Sequence, residues 1–85
     1  MKHYVIVLDW ANNDAEGVNI LGVTHTFNEA KEIFAEHVIE ERELAEGYGW
    51  NIETDTDSTF EAYEDGYHAV AHTTLYIEEV RGNEN

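Results

Sequence analysis

Residues 26–49 read TFNEAKEIFAEHVIEERELAEGYG, a stretch that opens on a helix-start signal and closes on two glycines. Thr26 followed three residues later by Glu29 forms a capping box, in which hydroxyl and carboxylate reciprocally satisfy amide groups that a first helical turn leaves without partners. The helix is predicted to run from Thr26 to Gly47. Gly47 or Gly49 is placed to close it in a left-handed cap. Its inward stripe is Ala30, Ile33, Phe34, Val38, Ala45 and Tyr48, interrupted by Glu41.

Glu29, Glu32, Glu36, Glu40 and Glu43 follow one another at spacings of three, four, four and three, which puts them on the face opposite that stripe. Successive members stand about 5–6 Å apart along the axis, comparable in order of magnitude with the charge spacing of a nucleic acid strand. A solvated helix face usually mixes signs, because like charges four residues apart repel by a few tenths of a kcal/mol. Here Glu32/Glu36 and Glu36/Glu40 repel, and Lys31 and Arg42 relieve them little within the helix. Glu40, Glu43 and Glu46 also lie toward the end where the helix dipole opposes negative charge.

The bias extends to the whole chain: 19 acidic residues against 4 basic ones in 85 residues leave a formal charge of −15. Anionic lipid and nucleic acid phosphates repel such a surface, so direct binding to membranes or nucleic acid is disfavoured and a basic partner is expected. At 42% hydrophobic, with two tryptophans and five tyrosines, the composition is too rich for a disordered acidic tail and fits one folded domain over residues 1–85. The absence of cysteine excludes disulfides and thiolate-zinc sites. The run Tyr4 to Leu8 is too short to span a bilayer, and with Lys2 alone before it makes no signal peptide, so a cytoplasmic location is expected.

Upstream of the helix, His3 to Trp10 (HYVIVLDW) is apolar on both alternating sets and reads as a central strand covered at least partly on both faces. A polar turn from Asn12 to Gly17 leads into a second strand, Val18 to Thr24. Downstream, Ile52 to Tyr63 alternates threonine and apolar residues with acids and fits a strand with one acidic face, broken if anywhere at Asp55 to Ser58. Asp65-Gly66 marks a turn, Tyr67 to His72 fits a strand or one helical turn equally, and Thr73 to Val80 is a last strand. The expected fold is α+β: a four-stranded, mainly antiparallel sheet in the order ββαββ, one long helix packed on one face, first and last strands central. A second acidic block, Glu53, Asp55, Asp57, Glu61, Glu64 and Asp65, is expected to extend the helix's negative field.

Candidate chemistry is thin. Asn12, Asp14, Glu16 and Gly17 imitate the first half of an EF-hand loop, but the twelfth position is Val23 where a bidentate glutamate is needed. Asp55 and Asp57 lack the loop glycine, leaving only a looser divalent-ion site. His68 and His72 share a face if helical and stand about 13 Å apart if extended. His25 at the strand-to-helix junction and Asp9 at the end of the first strand are places for a base, yet no nucleophile-base-orienter set accompanies them. No catalytic residue, metal site or cofactor is therefore expected.

At YVIVLDWA (Tyr4 to Ala11), LGVTHTFNEAKEIF (Leu21 to Phe34) and LYIEEV (Leu75 to Val80), nearly the whole chain resembles a group of small acidic proteins of Gram-positive bacteria and their mobile elements. The resemblance implies no activity and carries over no functional residues. By class analogy, resting on size and charge, the chain is also similar to phage-encoded anti-CRISPR and anti-restriction proteins that imitate DNA.

The expected function is non-enzymatic: an acidic inhibitor that binds the basic groove of a nucleic-acid-binding protein through the helix glutamates and the second block. The alternative is an antitoxin-like regulatory or accessory module, recognised through apolar surface around Trp10, Trp50 and Tyr63. In that case the acidity serves only solubility.

Overall fold

The computed structural model describes residues 2–66 and 70–81 of the chain. The elements run β1 (Lys2–Ala11), β2 (Glu16–Thr24), α1 (Phe27–Tyr48), β3 (Asn51–Asp55), β4 (Thr59–Tyr63) and β5 (His72–Arg81). The fold is α+β, but the antiparallel sheet has five strands rather than four, in the order β2-β1-β5-β4-β3. The extra strand arises where Ile52 to Tyr63 folds back on itself. Thr56 N–H donates to the Thr59 carbonyl, and the Thr56 hydroxyl accepts from the amides of Ser58 and Thr59. A threonine side chain that bonds the backbone two and three residues ahead stabilises a tight turn better than a continuing strand.

Local chemistry also sets the other connections. Asn12 Oδ1 accepts from Asp14 N–H and Ala15 N–H, closing the β1–β2 hairpin. Thr26 caps α1 in extended backbone conformation, its hydroxyl accepting from Glu29 N–H. The return half of the capping box differs from expectation, because Glu29 Oε1 accepts a hydrogen bond from the Thr26 hydroxyl instead of from the Thr26 amide. Gly49, at φ 71°, ends the helix. Its N–H reaches the Glu46 carbonyl and Trp50 N–H the Ala45 carbonyl, the paired bonds of a Schellman cap.

Helix α1, 22 residues and so about six turns, lies across β5, β2 and β1 on one face of the sheet. Ala30, Phe34, Val38 and Ala45 pack on Ile6, Phe60, Ala62 and Leu75, with Tyr4, Leu8, Leu21, Ile33, Trp50 and Ile77 around them. Glu41 falls on this inward stripe, half-buried, where its Oε1 accepts from the Thr73 hydroxyl at 2.7 Å. Tyr48, expected to point inward, is 70% exposed and stacks on Trp50.

β5 is central with β1 beside it. Among the described residues nothing covers the second face of β1, contrary to the two-sided burial expected for it. Val7 on that face is nevertheless 3% exposed, because its cross-strand neighbours Ile20 and Tyr76 close over it. Of Tyr67 to His72, expected as strand or one helical turn, Val70 and Ala71 are in neither and His72 opens β5; Tyr67, His68 and Ala69 lie outside the described residues, as do residues 82–85. Among the described residues no helix is long and apolar enough to cross a membrane.

Candidate functional site

The ridge on α1 follows from the helix period. Glu29, Glu32, Glu36, Glu40 and Glu43 are all exposed on the face turned away from the sheet. Among the described residues none of them pairs with a base. Three of the four basic residues are engaged elsewhere. Lys2 Nζ lies 3.1 Å from Glu79, Lys31 Nζ lies 3.2 Å from Asp57, and Arg42 binds Asp55. Lys31 and Arg42 leave the same flank of α1 and reach across to the β3–β4 hairpin. The Arg42 guanidinium also sits 5.5 Å from the centre of the Phe60 ring, which shields that core residue from solvent.

The second acidic block is not one surface. Asp55 pairs with Phe60 in the ladder, on the helix side, and its charge is met by Arg42. Asp57 lies in the turn that follows, and Lys31 meets its charge. Glu61 alternates with the buried Phe60 and Ala62 and so points to the opposite face of the sheet, level with Thr74 of β5. Glu53 is exposed at a bulge of edge strand β3, Asp65 is exposed beyond β4, and Glu64 is half-buried. A single acidic strand face was therefore the wrong expectation, because the hairpin and the bulge divide these residues among different directions.

A substantial concavity lies at the C-terminal end of the helix. It is a cleft of about 610 Å³ between the last two turns of α1 and the sheet end that carries the β1–β2 turn. Leu8, Leu44, Trp10, Tyr48 and Trp50 give it apolar and aromatic walls, and Glu41, Glu64 and Asp14 bring carboxylates. Trp10 is positioned by Gly17 directly across the β1–β2 ladder: a Cβ there would stand 3.0–3.1 Å from the indole. The signal for this cleft in the sequence is the aromatic pair Tyr48 and Trp50 flanking the helix-ending Gly49.

Of the positions considered for catalysis, neither His25 nor Asp9 lines the cleft. His25 is exposed, its ring 5.1 Å from that of His3. Asp9 faces His72, Nε2 to Oδ1 3.5 Å. His68 falls outside the described residues, and among those described no group of three or more His, Asp or Glu could hold a metal ion. Trp10 and Trp50 line the cleft on the helix side, while Tyr63 is part-exposed on the opposite sheet face, so the apolar trio expected to act together is split. Comparison with family models, curated proteins and solved structures finds no match for this chain.

Proposed function

We propose that the protein is a non-enzymatic polyanion mimic that occupies the basic groove of a nucleic-acid-binding protein, with the α1 ridge as its contact surface. The observation that carries this reading is the row Glu29, Glu32, Glu36, Glu40 and Glu43, every member exposed and without an ion pair among the described residues, while Lys2, Lys31 and Arg42 bind acids elsewhere. Arginine and lysine in a groove built for phosphates would meet these carboxylates with charge-assisted hydrogen bonds. The ridge runs along a rigid helix capped at both ends, so its charges are held in line before binding. Arg42 and Lys31 partly neutralise Asp55 and Asp57, and Glu61 points to the opposite sheet face, so the contact surface is narrower than the charge of the chain suggests.

The test is capture at low salt on the immobilised protein, followed by elution with duplex DNA. Wild type should retain basic nucleic-acid-binding proteins that DNA releases, and the variant Glu32→Gln/Glu36→Gln/Glu40→Gln should not. Equal capture by that variant at equal salt would falsify the reading. A second reading, an interaction module recognised through apolar surface, is favoured by Val18, Ile20 and Val23, which are 63%, 59% and 58% exposed on the open sheet face. It predicts that Ile20→Lys, and not the glutamine variant, abolishes capture.

A further inference from the structure

The cleft at the C-terminal end of α1 has the composition of a site for an organic cation. Its size, about 610 Å³, lies within the range of small-ligand pockets, roughly 300–1,000 Å³. Its charged groups are predominantly of one sign. Glu41, Glu64 and Asp14 line it, and no lysine or arginine does among the described residues; its one histidine, His72, lies beside Asp9. The end of α1 adds to this potential, since the partial charge at a helix C-terminus is negative and the last turn carries no basic residue to offset it.

Three features narrow the ligand. The walls include both tryptophans of the chain and Tyr48, whose ring stacks on Trp50 at a centroid distance of 5.4 Å. Aromatic faces attract a cation through their quadrupole, and they suit a weakly hydrated organic ion better than a metal ion, which prefers a cage of oxygens. Glu41 stands half-buried in the wall, held by the Thr73 hydroxyl through Oε1. Among the described residues no other donor reaches this carboxylate, so its remaining acceptor capacity is available to a ligand. A planar guanidinium meets both demands at once: it stacks on indole and phenol rings and places two parallel N–H donors on carboxylate oxygens, whereas an ammonium is a compact, strongly hydrated point charge.

We propose that this cleft binds a guanidinium group, stacked against the Trp10, Tyr48 and Trp50 rings and hydrogen-bonded to Glu41. The group belongs either to a free small molecule or to an arginine side chain offered by a partner. The inference does not rest on the α1 ridge, whose glutamates lie on the far side of the helix from Glu41, and it can fail or hold independently of the polyanion reading.

Because Trp10 and Trp50 are the only tryptophans, intrinsic fluorescence reports the cleft directly. At about 150 mM salt, where the Debye length is about 8 Å and diffuse attraction is screened, the protein is titrated with three probes. These are N-acetyl-arginine amide, propylguanidinium, and the neutral isostere N-acetyl-citrulline amide. A saturable change is expected with a guanidinium probe and at least about tenfold weaker binding of the citrulline compound, as for loss of a charged hydrogen bond. Binding of the capped arginine identifies a side chain as a competent source; binding of propylguanidinium alone identifies a free small molecule. Glu41→Gln, which can still accept from Thr73, should weaken binding about tenfold. Tyr48→Ala, at an exposed ring, should weaken it at least about twofold. Glu78→Gln, an exposed acid on the open sheet face, should leave binding unchanged. No response to either guanidinium probe, an equal response to citrulline, or full affinity in a folded Glu41→Gln protein overturns the proposal.

Discussion

The two faces of the same sheet follow opposite rules. On the helix side, one row from edge to edge reads Asn19, Leu8, Leu75, Phe60, Asp55, with polar ends and a core sealed by α1. On the other side, the next row toward the β2 end reads Ile20, Val7, Tyr76, Thr59, in which side chains shelter only one another. A one-sided antiparallel sheet normally alternates apolar and polar residues cleanly, and here the open side keeps valines and an isoleucine on its β2 edge. The same strands therefore hold residues whose removal should unfold the domain and residues of equal hydrophobicity whose removal should hardly be felt. Burial under the helix, not side-chain type, makes the difference.

The contrast can be broken most forcefully at Phe60. Phe60→Ala should cost about 3–5 kcal/mol through lost transfer energy and a cavity, read as a fall in the urea midpoint; if the protein does not fold, Phe60→Leu gives the graded version. Ile20→Ala should cost less than about 1 kcal/mol in the same measurement, and a larger loss would mean that the open face is covered in solution. Thr26→Ala, removing the cap that aims α1 over the sheet, should cost about 0.5–2 kcal/mol. Arg42→Gln should cost about 1 kcal/mol or less, since its ion pair with Asp55 is partly solvated. The smallest effect belongs to Glu32→Gln/Glu36→Gln/Glu40→Gln, expected to be neutral or to stabilise by a few tenths of a kcal/mol as repulsion is relieved. Added salt should stabilise wild type more than this variant, and equal salt responses would show that the ridge is not strained by its own charge.

Much of the fold was legible because its signals are local. Thr26 with Glu29 marked the helix start, Gly47 or Gly49 its end, of which the structure uses Gly49, and the spacing of the five glutamates the ridge. The fifth strand was harder to read, since Thr56 joins a hairpin turn through hydrogen bonds that alternation does not reveal. The faces of β2 were not readable at all. A bulge sets Val7 opposite Ile20 and Ile6 opposite Gly22, leaving Leu21 as the extra residue. Strict alternation would turn Ile20 and Val18 toward the helix with Gly22; the bulge moves them to the open face beside Val23. The cleft was signalled only by Tyr48 and Trp50 around Gly49, because Trp10, Glu41, Trp50 and Glu64 come from four separate segments.

Net charge, the capped helix and the uniform sign of the α1 ridge were legible from the residues alone, because each depends on composition or on contacts within a few residues. Packing selected which acids are neutralised, which apolar residues are left uncovered and which aromatic rings share a cleft with Glu41. Those outcomes depend on strand register, on a bulge and on how far Lys31 and Arg42 reach across to the hairpin, and they are settled when distant segments pack together.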